Sequence, residues 1–337
     1  MLKIGLLGAG RIGNVHARAI SAHPRSHLVA VSDAYPESAQ KLAHQFGAEA
    51  RSSEEIIADS SIDAVLIATP TDTHSDLIEA ATGAGKAVLC EKPVDLDLDR
   101  ALACQQVAER NGRPVMVGFN RRFDPNFTTL KAAIDAGEIG ATELLSITSF
   151  DPAPPPVSYV KVSGGLFRDM MIHDFDMANF IMDDVPMTIS AVGTCVIDSE
   201  IAKAGDVDTA VVTMTYRDGQ IAVINNSRRA VYGYDQRVEV LGSKGLLQVQ
   251  NMLENTVVKS TADGVTGAKP TYFFLERYMP AYNAEWAAFV QATESGAPMP
   301  VTLKDGVAAL AMAEAATRSA RTGSPVALAE ILKPVAK

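Results

Sequence analysis

The sequence predicts an α/β protein in two parts. Residues 1–120 read as a doubly wound parallel sheet, and residues 121–337 as an α/β region whose strands run mostly antiparallel. Three observations point there. Through the first part, short apolar strands alternate with helical stretches of about 10–15 residues. Glycines in the pattern G-x-G-x-x-G follow the first strand. After about residue 120 the rhythm changes to strands joined by short turns.

Taken in order, "KIGLLGAG" is a short buried strand running into glycines, and "RIGNVHARAIS" is a helix. "LVAVSD" is the second strand, and "AYPESAQKLAHQFG" a helix stopped by Gly47. "DAVLIATP" is the third strand, and "DTHSDLIEAATGAG" a helix with Gly83 and Gly85 at its end. "KAVLCEKP" is the fourth strand, "DLDRALACQQVAERNG" a helix that stops at Gly112, and "PVMVGF" the fifth strand. These strands are apolar on both faces, as a sheet covered by helices on both sides requires.

In the second part, "NFTTLKAAIDAGEIG" is a helix, "TELLSITSF" a strand and "DPAPPPVSYVKVSGG" a proline-rich loop. "GGLFRDMMIHDFD" reads as one buried helix. Strands follow in "TISAVGTCVI", "DTAVVTMTYRDG", "QIAVINNSRR", "QRVEVLGSKG" and "LLQVQN", with "RDGQ" and "GSKG" as hairpin turns. Alternation in "DTAVVTMTY" puts Val212 and Met214 on a sheet face that something must cover. Two helices, "AYNAEWAAFVQATESG" and "LKDGVAALAMAEAATRSARTG", close the chain and are candidates to pack back on the first part.

Composition excludes several classes of partner. The 337 residues are 47% hydrophobic and 21% charged, ordinary for a globular protein. A net charge of −10 argues against nucleic acid and against an acidic membrane surface. No apolar stretch approaches the roughly 20 residues of a membrane span, and the N-terminal apolar run is too short for a signal-peptide core. Cys90, Cys104 and Cys195 are few and widely spaced, which fits a reducing cytoplasm rather than a disulfide framework.

Gly8, Gly10 and Gly13 form the G-x-G-x-x-G pattern after a strand and at the opening of a helix. There the first glycine allows a tight turn, the second lets a pyrophosphate approach the backbone, and the third lets helix and strand pack closely. Arg11 and Ile12 lie between the last two glycines and belong to the same binding turn. Asp33 ends the second strand about 20 residues past the third glycine, placed to accept hydrogen bonds from an adenosine ribose. Its charge would repel a 2′-phosphate, and Ala34 and Tyr35 supply no guanidinium to hold one, so NAD is favoured over NADP. An ordinary helix-capping role is the other reading of Asp33. Thr69 and Glu91, at the carboxyl ends of the third and fourth strands, complete the candidate cofactor set together with Lys92, since ligands of open parallel sheets bind at those ends. Lys92 can equally be a surface lysine paired with Glu91.

The segment "GGLFRDMMIHDFD" carries Asp169, His173, Asp174 and Asp176 inside an otherwise apolar run. Burying charged groups is costly unless they are paired or used. On a helix, Asp169, His173 and Asp176 share one face. Three readings stay open: a satisfied core pair, a metal site, or a histidine oriented by a carboxylate for acid–base work. The other histidines all fall in the first part and supply no second ligand pair, so no metal is expected.

With these residues in hand, a resemblance can be stated. Gly8–Gly13, "EKP" at Glu91–Pro93, and G-G-x-x-x-D-x-x-x-H-D-x-D from Gly164 to Asp176 resemble, in this order and over nearly the whole chain, the Gfo/Idh/MocA oxidoreductase family. "GGLFRDMMIHDFDM" behind its proline-rich loop is most similar to the inositol 2-dehydrogenase branch, although Phe150 and Asn179 stand where that branch is expected to carry arginine. The resemblance implies a Rossmann domain followed by an α/β domain on an open, mostly antiparallel sheet, and a cis peptide bond before Pro93. It implies catalytic roles for Lys92, Asp169 and His173, with substrate contacts from Lys92, Asn120, Arg122, Asp151, Asp169, His173 and Tyr234. The implied reaction is NAD-dependent oxidation of a ring alcohol of myo-inositol to the 2-ketone, in a cytoplasmic homotetramer. Dehydrogenation of scyllo-inositol or another polyol, and a non-catalytic NAD-binding sensor, are the alternatives.

Overall fold

Three strands of the first sheet, Ala64–Ile67, Ala87–Glu91 and Val115–Gly118, are buried along their whole length, and their sequence is apolar for that reason. The computed structural model describes residues 1–332. The chain divides into two units, Met1–Phe123 with Met279–Leu310, and Asp124–Tyr278 with the residues from Ala311.

The first unit runs β1 (Leu2–Leu7), α1 (Arg11–Ala22), β2 (Ser26–Ser32), α2 (Pro36–Phe46), β3 (Glu49–Ala50), α3 (Ser53–Ala58), β4 (Ala64–Ile67), α4 (His74–Gly83), β5 (Ala87–Glu91), α5 (Leu98–Asn111) and β6 (Val115–Gly118). Among the described residues these strands form a parallel sheet in the order β3-β2-β1-β4-β5-β6, the doubly wound arrangement. Every residue of β4, β5 and β6 is buried. Helix ends follow local chemistry. Asp97 caps α5 through the Arg100 N–H, and Gly47 and Gly112 end α2 and α5 in the left-handed conformation. Strand β3 and helix α3 are absent from the sequence reading. The strand is two exposed residues with no periodicity, whereas α3 does carry a signal, the Ser52–Glu55 capping box. Residues 279–310 pack within this unit. The buried Trp286 donates Nε1–H to Ser26 Oγ at 2.9 Å, and Val117 N–H donates to Val301 O at 3.2 Å.

The second unit opens with α6 (Pro125–Asp135), β7 (Thr142–Phe150), α7 (Val157–Val160), α8 (Leu166–Asp169) and α9 (Ile172–Met182). It continues through β8 (Thr188–Thr194), α10 (Ser199–Lys203), β9 (Thr209–Thr215), β10 (Ile221–Ser227), β11 (Asp235–Gly242), β12 (Gly245–Val249), β13 (Val258–Thr261) and β14 (Gly264–Gly267). The chain closes with α11 (Phe274–Ser295), α12 (Leu303–Thr322), β15 (Val326–Ala327) and α13 (Leu328–Ile331). Helix α11 starts before the point read from sequence because it carries Pro280 inside it, a residue that normally marks a helix boundary.

The large sheet has the order β12-β11-β7-β10-β9-β8-β15, with β7 and β10 parallel and the other pairs antiparallel. Val212 and Met214 lie on its covered face, fully buried. The face left open is the opposite one. Register aligns Leu246, Leu241, Leu144 and Ile221 as one row across β12, β11, β7 and β10, and Val211 beside Val192 on β9 and β8; all six are exposed. No helix among the described residues is long and apolar enough to cross a membrane.

Beyond the end of β8 the chain is pinned by one buried carboxylate. Asp208 accepts hydrogen bonds from the N–H groups of Val196, Ile197 and Asp198 at 2.7–3.1 Å and from the Cys195 thiol at 3.0 Å. Burial works against its charge, but the thiol and the three N–H groups together outweigh burial and hold the carboxyl down at about 2. That lies below the ordinary carboxylate value of about 3.9, so the stabilisation is full above about pH 4 and is lost as pH falls toward 2. Asp208→Asn should lower stability at neutral pH by about 1.5–3 kcal/mol, the range for hydrogen bonds to a charged group. It should also flatten the fall of Tm with acid between about pH 4 and 2. Thermal melts across that range check this, and an unchanged acid slope would count against it.

Candidate active site

The three glycines of the first turn meet three different surroundings. A Cβ on Gly8, whose φ is +103°, would sit 2.4 Å from Ala68 O. A Cβ on Gly13 would sit 2.0 Å from Gly8 O, so α1 can cross the turn only without a side chain there. A Cβ on Gly10 would meet nothing within 4 Å. Gly10 is also the N-cap of α1, with no side-chain cap and no acidic residue in the first turn, which leaves the partial positive charge of the helix end open to an anion. Asn14 Nδ2 donates to Ala9 O and Gly10 O at 3.0 and 2.9 Å and locks the turn from inside the helix. Arg11 is exposed and Ile12 half-buried at the same turn.

Asp33 serves both of its sequence readings. Its Oδ2 accepts the Ala9 N–H at 2.7 Å and its Oδ1 accepts the Tyr35 N–H at 2.8 Å, so it braces the glycine turn and the start of α2. Each carboxylate oxygen keeps acceptor capacity beyond one N–H.

The Lys92 turn is held from below. The Lys92–Pro93 peptide is cis. Glu91, at the buried end of β5, lies 2.6 Å from His16 Nε2, and His16 stacks edge-on against Tyr282. His74, at the start of α4, places Nδ1 2.8 Å from Pro93 O and Nε2 2.9 Å from Thr69 O, and Ser75 Oγ donates to Val94 O at 3.2 Å. One buried imidazole therefore ties the Thr69 loop to the Lys92 turn. The sequence reading set His16 and His74 aside because neither has metal-ligand spacing; their positions beside the binding turns become visible only in the folded chain. Lys92 itself is half-buried. Asn120 and Arg122 follow β6. Asn120 is buried, and Arg122 Nη2 donates to Asp305 Oδ1 at 3.0 Å.

In the second unit the segment Gly164–Asp176 is two helices, not one. Helix α8 ends at Asp169 and α9 begins at Ile172, with Met171 N–H donating back to Leu166 O in a widened turn. The break corrects the simple i, i+4, i+7 stripe. The turn drives Met170 and Met171 into the core, and the four charged residues part company. Asp174 is fully buried and accepts from Ser149 Oγ at 2.6 Å and Asn226 Nδ2 at 2.8 Å, which makes it a satisfied core carboxylate. Asp176 is buried as well. Asp169 and His173 stay half-buried, and Asp169 Oδ1 accepts the Tyr159 O–H at 2.8 Å from α7. Tyr159 lies in α7, a single turn inside the segment read as a proline-rich loop, and four residues are too short for a period to place it. Asp151 pairs its backbone with Ser227 and Ala230 just past β7, and the Tyr234 ring meets Tyr278 edge-on at 6.0 Å. No cluster of three or more candidate metal ligands occurs among the described residues.

The N-terminal model of the oxidoreductase family with an NAD-binding Rossmann fold matches residues 2–119, and the C-terminal α/β model matches residues 131–328. The chain belongs to the Gfo/Idh/MocA oxidoreductase family. It is 49% identical over 328 residues to an inositol 2-dehydrogenase of Rhizobium meliloti, covering 97% of this chain and 99% of that one. A myo-inositol dehydrogenase structure from Corynebacterium glutamicum superposes with a TM-score of 0.94 at 45% identity, covering 99% and 100% of the two chains. A scyllo-inositol dehydrogenase from Lactobacillus casei, solved with NAD(H) and scyllo-inositol, gives 0.91 at 30% identity over 98% and 99%.

The protein is an NAD-binding oxidoreductase, and its first unit fits that cofactor. The open space at Gly10 and the uncapped end of α1 suit a pyrophosphate, and Asp33 suits a ribose diol. Gly10 has a φ of −69°, which any residue adopts, so Gly10→Ala should melt like the parent yet bind NADH at least about tenfold more weakly, about 1.4 kcal/mol. Gly13→Ala forces backbone apart and should lower Tm as well as binding. NADH fluorescence titration with thermal melts checks the pair, and equal NADH affinity in Gly10→Ala and the parent would remove the turn from the cofactor site.

Proposed function

We propose that the protein is an inositol 2-dehydrogenase, oxidising the carbon-2 hydroxyl of myo-inositol to the ketone. The observation that carries this reading is the contrast within one segment: Asp174 and Asp176 are sealed in the core, while Asp169 and His173 stay half-buried. The named relatives support the choice of an inositol ring. In this reading the two parts read from the sequence divide the work, residues 1–120 holding the dinucleotide and residues 121–337 supplying the substrate and assembly surfaces.

When bound, NAD⁺ supplies the hydride acceptor. His173 takes the hydroxyl proton as the carbon–hydrogen bond breaks, which leaves the ketone and a protonated imidazole. Lys92 donates a hydrogen bond to the same oxygen and favours the alkoxide character that develops on it. Asp169 steadies the imidazolium. Asn120, Asp151 and Tyr234 offer partners to the remaining hydroxyls, and Arg122 does so with the N–H groups that Asp305 does not use. General-base assistance of this kind contributes about 10²–10⁴-fold. The setting is read as the cytoplasm, in keeping with the free thiols Cys90, Cys104 and Cys195. The assembly is read as a homotetramer packed through the open sheet face that carries Leu144, Ile221, Leu241 and Leu246.

His173→Asn should cut kcat by about 10²–10⁴ with the fold and NADH binding intact, and Lys92→Ala should lose most turnover while still binding NADH. Turnover of a polyol panel followed by NADH absorbance is the measurement. A His173→Asn enzyme with normal kcat would take the histidine out of the chemistry, and a parent that reduces NAD⁺ with scyllo-inositol but not myo-inositol would replace the substrate. In size-exclusion with light scattering the parent should run as a tetramer and Ile221→Lys as a smaller species; a monomeric parent at micromolar concentration would sink the assembly.

A further inference from the structure

Two charged residues of the second unit have no task in the chemistry above. Arg228 follows β10 and is 1% exposed. A guanidinium stays charged in proteins, so here it is a buried cation that needs carboxylate partners. Its two terminal nitrogens face two of them. Nη2 lies 3.4 Å from Asp206 Oδ2, and Nη1 lies 3.7 Å from Asp169 Oδ2. The base of the side chain is anchored, because Arg228 N–H donates to Asp208 O at 2.8 Å and Asp208 is itself clamped by three successive N–H groups.

Asp206 acts at the other end of the same short helix. Its Oδ1 accepts the Leu166 N–H at 2.9 Å, at the first residue of α8. The carboxylate lies so close that a Cβ on Gly165 would come within 2.7 Å of Oδ1, and Gly165 has a φ of +84°, where side chains are strained. So Asp206 holds α8 where it starts, and Arg228 reaches the Asp169 carboxylate where α8 ends. Asp169 then has a guanidinium beside Oδ2 and the Tyr159 hydroxyl on Oδ1. Tyr159 is 47% exposed, so the hydroxyl side is the one a ligand can reach.

We propose that Arg228 is a positioning residue for the oxidation: its guanidinium, shared between Asp206 and Asp169, fixes the direction of the Asp169 carboxylate. The proposal rests on the reading in which Asp169 serves His173. Without the guanidinium, two carboxylates would share a half-buried site with like charge, and Asp169 would be driven to turn away from Asp206. Arg228 touches neither the hydride nor the proton; it acts through Asp169 alone.

The experiment is a double-mutant cycle. Arg228→Gln, Arg228→Lys and Asp169→Asn are made singly, and each Arg228 change is also made in the Asp169→Asn protein. Each is read for kcat on the best polyol of the panel, for NADH Kd and for Tm. Arg228→Gln should lower kcat about 10–100-fold with NADH Kd within about twofold of the parent, Arg228→Lys should recover most of that loss, and in the Asp169→Asn background Arg228→Gln should cost less than about threefold. An equal loss in both backgrounds would overturn the proposal, as would Gln and Lys variants that fall together in step with Tm. Should Arg228→Gln not fold, Asp206→Asn carries the test, since it keeps an oxygen for the Leu166 N–H and removes one of the two charges on the guanidinium. It should change kcat by at least about threefold, and the change should vanish with Asp169→Asn; its persistence there overturns the proposal. An Asp169→Asn enzyme with parental kcat removes Asp169 from the chemistry and takes both readings down. An impaired Asp169→Asn with additive Arg228 effects takes down the Arg228 role alone.

Discussion

The cost of taking charge out of water decides where the ionisable side chains of this protein can stand. Within the second unit the buried carboxylates find donors. Asp174 has a serine and an asparagine, Asp208 a run of backbone N–H groups, and Asp124 the guanidinium of Arg277. Asp235 has Arg237, Tyr232 and Asn251, and these partners, outweighing its burial, hold its carboxyl below the ordinary range. In the first unit Lys86 is turned onto two backbone carbonyls, those of Asp59 and Ile62. Each of these groups is spoken for by the fold. Asp169 and His173 differ from them in staying half-buried, and that is why chemistry is read there and not at the fully buried Asp174.

The same constraint explains what was legible in the sequence. The five long strands of the first unit are visible because desolvation makes them apolar on both faces, and the glycine turn is visible because all its demands fall within six residues. The edge strand Glu49–Ala50 and the hairpin Val258–Gly267 are exposed throughout, so no burial pattern marks them. Alternation in β9 separates Val211 and Thr213 from Val212 and Met214, but a period of two does not say which face the helices cover. For that the register across β12, β11, β7 and β10 is needed.

The proposed site was legible in its residues and illegible in its supports. Lys92, Asp169 and His173 stand out because a charged residue in an apolar setting is locally improbable. Arg228 and Asp206 do not, since each looks like a polar loop residue until a turn separated from Asp206 by 40 positions brings Leu166 under its carboxylate. The break at Met170 and Met171 is hidden for the opposite reason. Two methionines fit a continuous buried helix as well as they fit the turn that replaces it, and only the widened hydrogen bond from Met171 to Leu166 distinguishes them.

Asp33 shows how closely binding and folding are joined at the cofactor turn. One oxygen of its carboxylate holds Ala9, between Gly8 and Gly10, and the other holds Tyr35 at the start of α2. With Asp33 as the proposed ribose partner, selectivity against a 2′-phosphate would come from a charge that the turn needs for its own geometry. A chain that exchanged this aspartate for a neutral residue would lose the repulsion and the brace at once, and the loop that seats the pyrophosphate would loosen together with the ribose site. Tolerance of NADP thus needs a second N–H acceptor for Ala9 as well as a cation for the phosphate. Neither Ala34 nor Tyr35 supplies that cation, so in the proposed site packing and ligand chemistry would favour NAD together.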